Sequence, residues 1–518
     1  MTKVITAREA AQLIPDGATI GLAGMGLSGW AEEIACAIAD RFQETRHPRD
    51  LNLKQGSAMG DWKERGTTRL GYEGLVTKWS AAHVGSAFSL CKLAVENKLE
   101  CHCLPQGVIV NLWREIAAGR PGLLTKVGLG TFVDPRLEGG KMNQCTKTEL
   151  VEIKELDGEE YLFYKGFDVD VALLRGSIAD EHGNISFERE SVINEGLSVA
   201  AAAKNTGGIV IVQVEYLAKA GTLAPKEVKI PGVLVDYVVQ ASDQKACWQT
   251  EGVYYEPSFS GQIKKPLRAL PPLPFDERKV ICRRCAMELK NGDVLNLGVG
   301  MPAEMGKILA EENLSEAVVM TTESGMVGGV PAALPNFGSA YNPEAIMVHG
   351  DMFDLIDGGG LDVTCLGIGE ADREGNINVS KFGPRLTGPG GFINITKATP
   401  KVIFCGTFMG KAKLKTGNGK ITVVEEGSIK KFKEKVEQVT FAGAYKGEDQ
   451  QVLYITERCV FKLMDGKMTL MEIAPGMDLE KDILANMDFV PAISKDLKSM
   501  SEEIFHEEWG NLNQYLGG

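Results

Sequence analysis

The chain has 518 residues, 44% of them hydrophobic, with 56 Lys and Arg against 69 Asp and Glu for a formal net charge of -13. That length allows about three domains, and the acid excess argues against nucleic acid or an anionic membrane as the main partner, so any anionic substrate needs a local site. No apolar run approaches the roughly 18 residues of a membrane span and Met1 to Thr6 lacks a signal-type apolar core, which implies a soluble cytoplasmic protein.

Thr6-Ala7-Arg8-Glu9 has the pattern of a capping box, and Ala10, Leu13 and Ile14 continue it as an apolar stripe, predicting a first helix. Asp16 to Gly29 then reads as turn, strand and glycine loop, followed by a helix from about Trp30 to Phe42. Gly208 to Val214 and Val233 to Val239 read as buried parallel strands. Residues 256 to 274 hold Pro257, Pro266, Pro271, Pro272 and Pro274 with few apolar runs, the composition of a linker. Beyond it, Asp276 to Leu289 is a predicted helix, Asn291 to Ala303 is again turn, strand and glycine loop, and Ala317 to Met320, Leu361 to Gly367 and Lys401 to Gly406 are predicted strands. Gly419 to Glu425 suggests a hairpin, and the polar tail from Ser494 to Gly518 suggests a helix.

The second half repeats the first. Gly17 aligns with Gly292 and Leu22 with Leu297, an offset of 275 in both cases (292 − 17; 297 − 22). Ala179-Asp180-Glu181-His182-Gly183-Asn184-Ile185 is echoed by Ala371-Asp372-Arg373-Glu374-Gly375-Asn376-Ile377 at an offset of 192 (372 − 180). The same landmarks in the same order predict an α/β fold of two related open, Rossmann-like domains of unequal length. The boundaries are 1–255 for the first domain, 256–275 for the linker and 276–518 for the second.

Three motifs invite chemistry. Gly24-Met25-Gly26-Leu27-Ser28-Gly29 matches the dinucleotide fingerprint after a strand and before a helix, with Asp50 lying 21 residues past Gly29. Its counterpart Gly298-Val299-Gly300-Met301-Pro302-Ala303 breaks the pattern with a proline, so a nicotinamide or flavin site is the weaker reading and a turn lending backbone N–H groups the better one. Cys282-Arg283-Arg284-Cys285 is half a zinc site with no second half, and Cys282, Cys285, Ala286 and Leu289 fall on one helical stripe, so no metal is expected and the 11 cysteines read as reduced, mostly core thiols. No serine nucleophile motif occurs. There remains a carboxylate among glycines: Glu323 ends a predicted strand and enters the turn Ser324-Gly325-Met326-Val327-Gly328-Gly329, at the strand end where open sheets bind ligands. The alternative is a solvated turn glutamate. Asp357-Gly358-Gly359-Gly360-Leu361-Asp362 and Gly388-Pro389-Gly390-Gly391-Phe392 could supply an anion nest or oxyanion hole, and Lys381 and Arg385 could face phosphate or be solvated charges.

In these motifs, together with Leu104-Pro105-Gln106-Gly107, Gly128-Leu129-Gly130-Thr131 and Asn296-Leu297-Gly298-Val299-Gly300, nearly the whole chain resembles the family I CoA-transferases. The branch is that of the single-chain propionate or acetate enzymes acting on short-chain acyl-CoA. The resemblance implies that Glu323 is the catalytic glutamate; Thr322-Glu323-Ser324-Gly325 stands where the family typically has Ser-Glu-Asn-Gly, as it does in the propionate-type branch. It implies that Gln106, Gly388, Gly390 and Gly391 support the reacting carbonyl, and that Asn296, Gly298, Val299, Gly300, Met301, Gly359, Gly360 and Lys381 contact CoA. It further implies an active site at the domain interface, coenzyme A as co-substrate with no permanently bound cofactor, ping-pong transfer through a glutamyl-CoA thioester, and a homo-oligomer, a tetramer. The alternatives are an acyl-CoA hydrolase on the same scaffold and, more remotely, a nicotinamide-binding α/β protein.

Overall fold

The computed structural model of the chain describes residues 2–267 and 271–517. The amino-terminal half is built on a ten-stranded sheet whose main path of eight parallel strands runs Lys3–Val4, Tyr237–Gln240, Ile209–Ala218, Val171–Asp180, Thr19–Leu22, Leu51–Gln55, Val76–Ala81, Glu100–Cys103. The carboxyl-terminal half has a second ten-stranded sheet, in the order Ala345–Ile346, Met326–Val327, Val319–Thr321, Val294–Leu297, Val363–Gly367, Lys401–Cys405, Gln451–Ile455, Cys459–Met464, Lys467–Ile473, Ala492–Ser499. From Val319–Thr321 to Gln451–Ile455 the strands are parallel. Strands covered on both faces are buried along their length rather than alternating, as Val171–Asp180 and Lys401–Cys405 are.

The strands Thr19–Leu22 and Val294–Leu297 lie where the strand order of their sheets reverses, and a glycine loop leaves the carboxyl end of each, the usual ligand position in such sheets. The internal repeat appears in matching contacts. Asp180 accepts the backbone N–H groups of His182 and Asn184, and Asp372 accepts those of Glu374 and Asn376. Asp170 accepts the Thr19 N–H at 2.7 Å, just as Asp362 accepts the Val294 N–H at 2.8 Å.

Several predicted elements hold. Thr6 and Glu9 form a full capping box on the helix Ala7–Gln12, the alternating stretch from Gly419 to Glu425 lies in the hairpin of Lys413–Gly417 with Lys420–Glu425, and Cys282 and Cys285 are buried in the second core on the helix Glu277–Ala286. Others are corrected. The helix expected from Trp30 begins at Glu32 and runs to Thr45. Gly232–Leu234 is a single 3₁₀ turn after Pro231 and the strand starts at Tyr237; the Gly232 N–H is taken by the Asn184 side chain at 2.9 Å, and Val233 is left 85% exposed. The tail expected as a helix begins inside an edge strand, Ala492–Ser499, whose polar side chains face solvent, and is helical only in the 3₁₀ turn Glu502–Phe505 and the short helix Asn513–Leu516. The linker is a docked strap as far as residue 267, while residues 268–270 of it lie outside the described part. Phe259 is 1% exposed with its ring 4.8 Å from that of Tyr341, and the Lys265 N–H is donated to the Asn342 side chain at 2.9 Å.

The halves meet on the helix Gln106–Ala117, which packs against the helices His349–Asp357 and Phe392–Ala398. Close approach depends on Gly107: a Cβ there would fall 2.5 Å from the Phe353 ring and 2.6 Å from the Asn394 amide. Its N–H is donated to Asn394 Oδ1 at 3.0 Å, and Arg114 farther along pairs with Asp351 and with Asp354 at 2.6 Å.

Candidate active site

Glu323 leaves the strand Val319–Thr321 into a turn closed by the Gly325 N–H on the Thr322 carbonyl, with Gly325 at φ 115° against the Met347 carbonyl. The turn aims the carboxyl inward. Glu323 is 7% exposed and its Oε2 is buried with no hydrogen-bond partner among the described residues. Burial pushes its acid pKa up to about 7, against smaller opposing effects of a backbone hydrogen bond and the His349 side chain. A solvated turn glutamate would show none of this.

The carboxyl lies on a cavity of about 320 Å³ between the halves. From the first half come Met25, Gly26, Trp62, His83, Gln106 and Glu251; from the second come Gly298 to Gly300, Leu334, Phe337, Arg385 and the loop Thr387 to Phe392. Seven of the residues singled out in the sequence besides Glu323 are therefore brought together: Gln106, Gly298, Val299, Gly300, Gly388, Gly390 and Gly391. A Cβ on Gly391 would stand 3.3 Å from Glu323 Cγ. The loop's backbone is less free than its glycine content suggests. The Gly388 N–H is donated to the Ser380 carbonyl at 3.0 Å and the Gly390 N–H to the Ala82 carbonyl at 2.9 Å, whereas the Gly391 N–H has no acceptor among the described residues.

The other expected contacts are elsewhere. Gly359 and Gly360 precede the strand Val363–Gly367 at its amino end, while it is Leu366 and Gly367 at the carboxyl end that line the cavity. Lys381 pairs with Leu386 in a short hairpin whose Arg385 faces the cavity instead. Asn296 is buried beneath the site, accepting from Thr364 Oγ1 at 3.3 Å, and Met301 precedes the 3₁₀ turn Pro302–Glu304 and packs on the second core. The dinucleotide reading fails on geometry. Asp50 precedes the strand Leu51–Gln55, at the end away from any ribose, and the loop Gly24 to Gly29 closes on itself through Met25 and Ser28 with the Glu190 carboxylate 3.3 Å from the Gly29 N–H.

Sequence reasoning did not find His349, Glu195, Glu251 or His83. His349 is fully buried, with Nδ1 2.9 Å from Glu195 Oε2 and Nε2 2.9 Å from the Gln106 amide nitrogen. Glu251 is pushed up to about 8 by burial and by nearby Asp61, and His83 is pushed down to about 4 by burial and by Arg385. At neutral pH both present uncharged polar groups to an otherwise apolar wall of Met25, Trp62, Leu334 and Phe337.

A pair of sheets with a buried carboxyl between them matches known proteins along the whole chain. Residues 4–241 match the family model described as Coenzyme A transferase. The chain is 65% identical to caffeate CoA-transferase of Acetobacterium woodii, with 100% of each chain covered. It is 40% identical to acetate CoA-transferase YdiF of Escherichia coli O157:H7, over 97% of this chain and 95% of that one. The crystal structure of the acyl-CoA transferase YdiF apoenzyme from that organism superposes with a TM-score of 0.92 at 39% identity, over 98% of this chain and 97% of that one, and the YdiF thioester complex with CoA matches equally. The chain belongs to the coenzyme A transferase family. It is an enzyme that moves CoA between an acyl-CoA and a carboxylate, with CoA as a substrate and not as a permanently bound group. Among the described residues no helix is long and apolar enough to cross a membrane.

Proposed function

We propose that the chain transfers CoA in two half-reactions through a thioester on Glu323, and that its acceptor is a carboxylic acid with an apolar, arylpropenoate-sized body. The observation that carries the first part is the buried Glu323 carboxyl on the cavity between the halves, its Oε2 unpartnered among the described residues. The carboxylate attacks the acyl-CoA carbonyl, forming an acyl-glutamyl anhydride and releasing CoA thiolate. The thiolate attacks the glutamyl carbonyl of the anhydride, forming the glutamyl-CoA thioester and releasing the acyl group as its carboxylate. The incoming acid runs both steps in reverse and leaves as the new acyl-CoA.

A carboxylate is a weak nucleophile, and each tetrahedral intermediate needs donors on its oxyanion, worth roughly 3 to 4 kcal/mol apiece in a dry site. The Gly391 N–H and the Gln106 side chain, both on the cavity, would be those donors. Gly298, Val299 and Gly300 would border the pantetheine thiol, and Arg385 would meet a phosphate. Enclosure between two halves keeps water from the anhydride and thioester, both of which hydrolyse. A division into domains at 1–255 and 276–518 fits this use of the interface.

The apolar wall with Trp62 and Phe337, and uncharged Glu251 as a donor to a ring hydroxyl, support an aryl acid; so does the 65% identical relative, named for caffeate. A second reading, short-chain transfer among propionyl-, acetyl- and butyryl-CoA, is favoured by the likeness to acetate CoA-transferase YdiF. Initial rates from acetyl-CoA or propionyl-CoA with caffeate, acetate or propionate as acceptor separate the two. The expected result is parallel double-reciprocal lines and a kcat/KM for caffeate at least tenfold above that for acetate. Preference for acetate would support the short-chain reading, and CoA release without any acid would support a hydrolase.

A further inference from the structure

Glu195, His349 and Gln106 form a buried chain that passes twice between the halves and ends on the cavity that holds Glu323. All three side chains are almost without solvent. Glu195 precedes the helix Gly196–Asn205 of the first half, while His349 opens the helix His349–Asp357 of the second, tied down by its N–H on the Ile193 carbonyl at 2.9 Å. The contacts order the chain through one tautomer: with Nδ1–H donated to Glu195 Oε2, Nε2 is an acceptor and takes one N–H of the Gln106 amide nitrogen that it faces at 2.9 Å. That fixes which way the amide faces. Its backbone is pinned as well, by the Gln106 N–H on the Gly390 carbonyl at 3.0 Å.

The orientation matters because the backbone around Glu323 supplies so little. With the Gly388 and Gly390 N–H groups already donated to Ser380 and Ala82, the second amide N–H of Gln106 is a side-chain donor at the cavity beside the Gly391 N–H. We propose that Glu195 and His349 are a positioning pair that holds the Gln106 amide as an oxyanion donor for the intermediates formed at Glu323. The pair touches no substrate and acts only through Gln106. This rests on Glu323 being the nucleophile.

The test is the single-turnover rate of CoA adduct formation from acetyl-CoA in wild type, Glu195→Ala, Glu195→Gln, Gln106→Leu and the double variant Glu195→Ala with Gln106→Leu. Misorientation of a donor by a fraction of a bond length is expected to slow Glu195→Ala roughly 10- to 100-fold with the acetyl-CoA concentration dependence unchanged. Glu195→Gln keeps an oxygen acceptor for Nδ1 and is expected within a few-fold of wild type. The double variant is expected to be no slower than Gln106→Leu alone, since nothing remains to be positioned. If Glu195→Ala does not fold, Glu195→Asp, which withdraws the acceptor by one methylene, replaces it throughout. The inference is overturned if the two losses multiply in the double variant, if adduct formation in the Glu195 variant falls only through weaker acetyl-CoA binding, or if the Glu195 variant matches wild type. A wild type that forms no adduct overturns the nucleophile assignment itself and the inference with it, so the two failures are distinguishable.

Discussion

Glu323 illustrates how one residue's environment sets both a reactivity and a stability. Its carboxyl is buried, with Oε2 unpartnered among the described residues, and its pKa is pushed from 4.5 to about 7. Below pH 4.5 the group is protonated in folded and unfolded chains alike and contributes nothing to the pH dependence. As pH rises from there towards 7 the unfolded chain ionises first, so the folded state loses relative stability, by about 3 kcal/mol once both are ionised. Glu323→Gln is therefore expected to match wild type in thermal stability at pH 4.5 and to exceed it at pH 8. The rate of adduct formation in wild type should rise through pH 7 to a plateau as the proposed nucleophile ionises. An equal difference in melting temperature at both pH values would contradict the assigned burial. The glutamate was legible in the sequence because its neighbours are local: a strand, a carboxylate and a glycine turn within a few residues. His349 and Glu195 were not, since they stand 154 positions apart and each alone is an unremarkable histidine or glutamate.

At the scale of elements, the helix Gln106–Ala117 decides whether the two halves close properly. It carries Gln106, Gly107 and Asn111 towards the second half and Trp113 into the first core, while Leu386 and Ile393 of the second half insert into that same core. Gly107→Val would drive a branched side chain into the Phe353 ring and the Asn394 amide, and overpacking of this kind costs typically about 1–3 kcal/mol. The expected outcome is a lower melting temperature and at least a tenfold slower adduct formation, as Gln106 is displaced with the helix. Unchanged kinetics would mean that the interface tolerates separation. Strands such as Ile209–Ala218 and Lys401–Cys405 were readable from continuous apolar runs, which parallel sheets covered on both faces demand. Val233 to Val239 carried the same signal and is only partly a strand, because the capture of the Gly232 N–H by Asn184 is a tertiary event. The polar tail misled for a related reason, since an edge strand facing water has no apolar alternation to show.

For the whole molecule, duplication gives two sheets whose glycine loops face a shared cavity, and function follows from what each half brings to it. The first half supplies Gln106, Glu195 and Glu251, the second Glu323, His349 and the Gly388 to Gly391 loop. The repeat and its order were visible in the sequence as two offsets, but the strap at Phe259 and the crossing contacts at the interface were not, because proline-rich composition reports missing regular hydrogen bonds and says nothing of docking. The measurement that bears most directly on this account is the intact mass of the protein after incubation with acetyl-CoA or propionyl-CoA without acceptor acid, beside Glu323→Ala treated identically. The account predicts that wild type gains the mass of one CoA less one water, that adding the acceptor acid removes it, and that the variant gains nothing. A wild type that stays unmodified, or a variant that gains the same adduct, would contradict it.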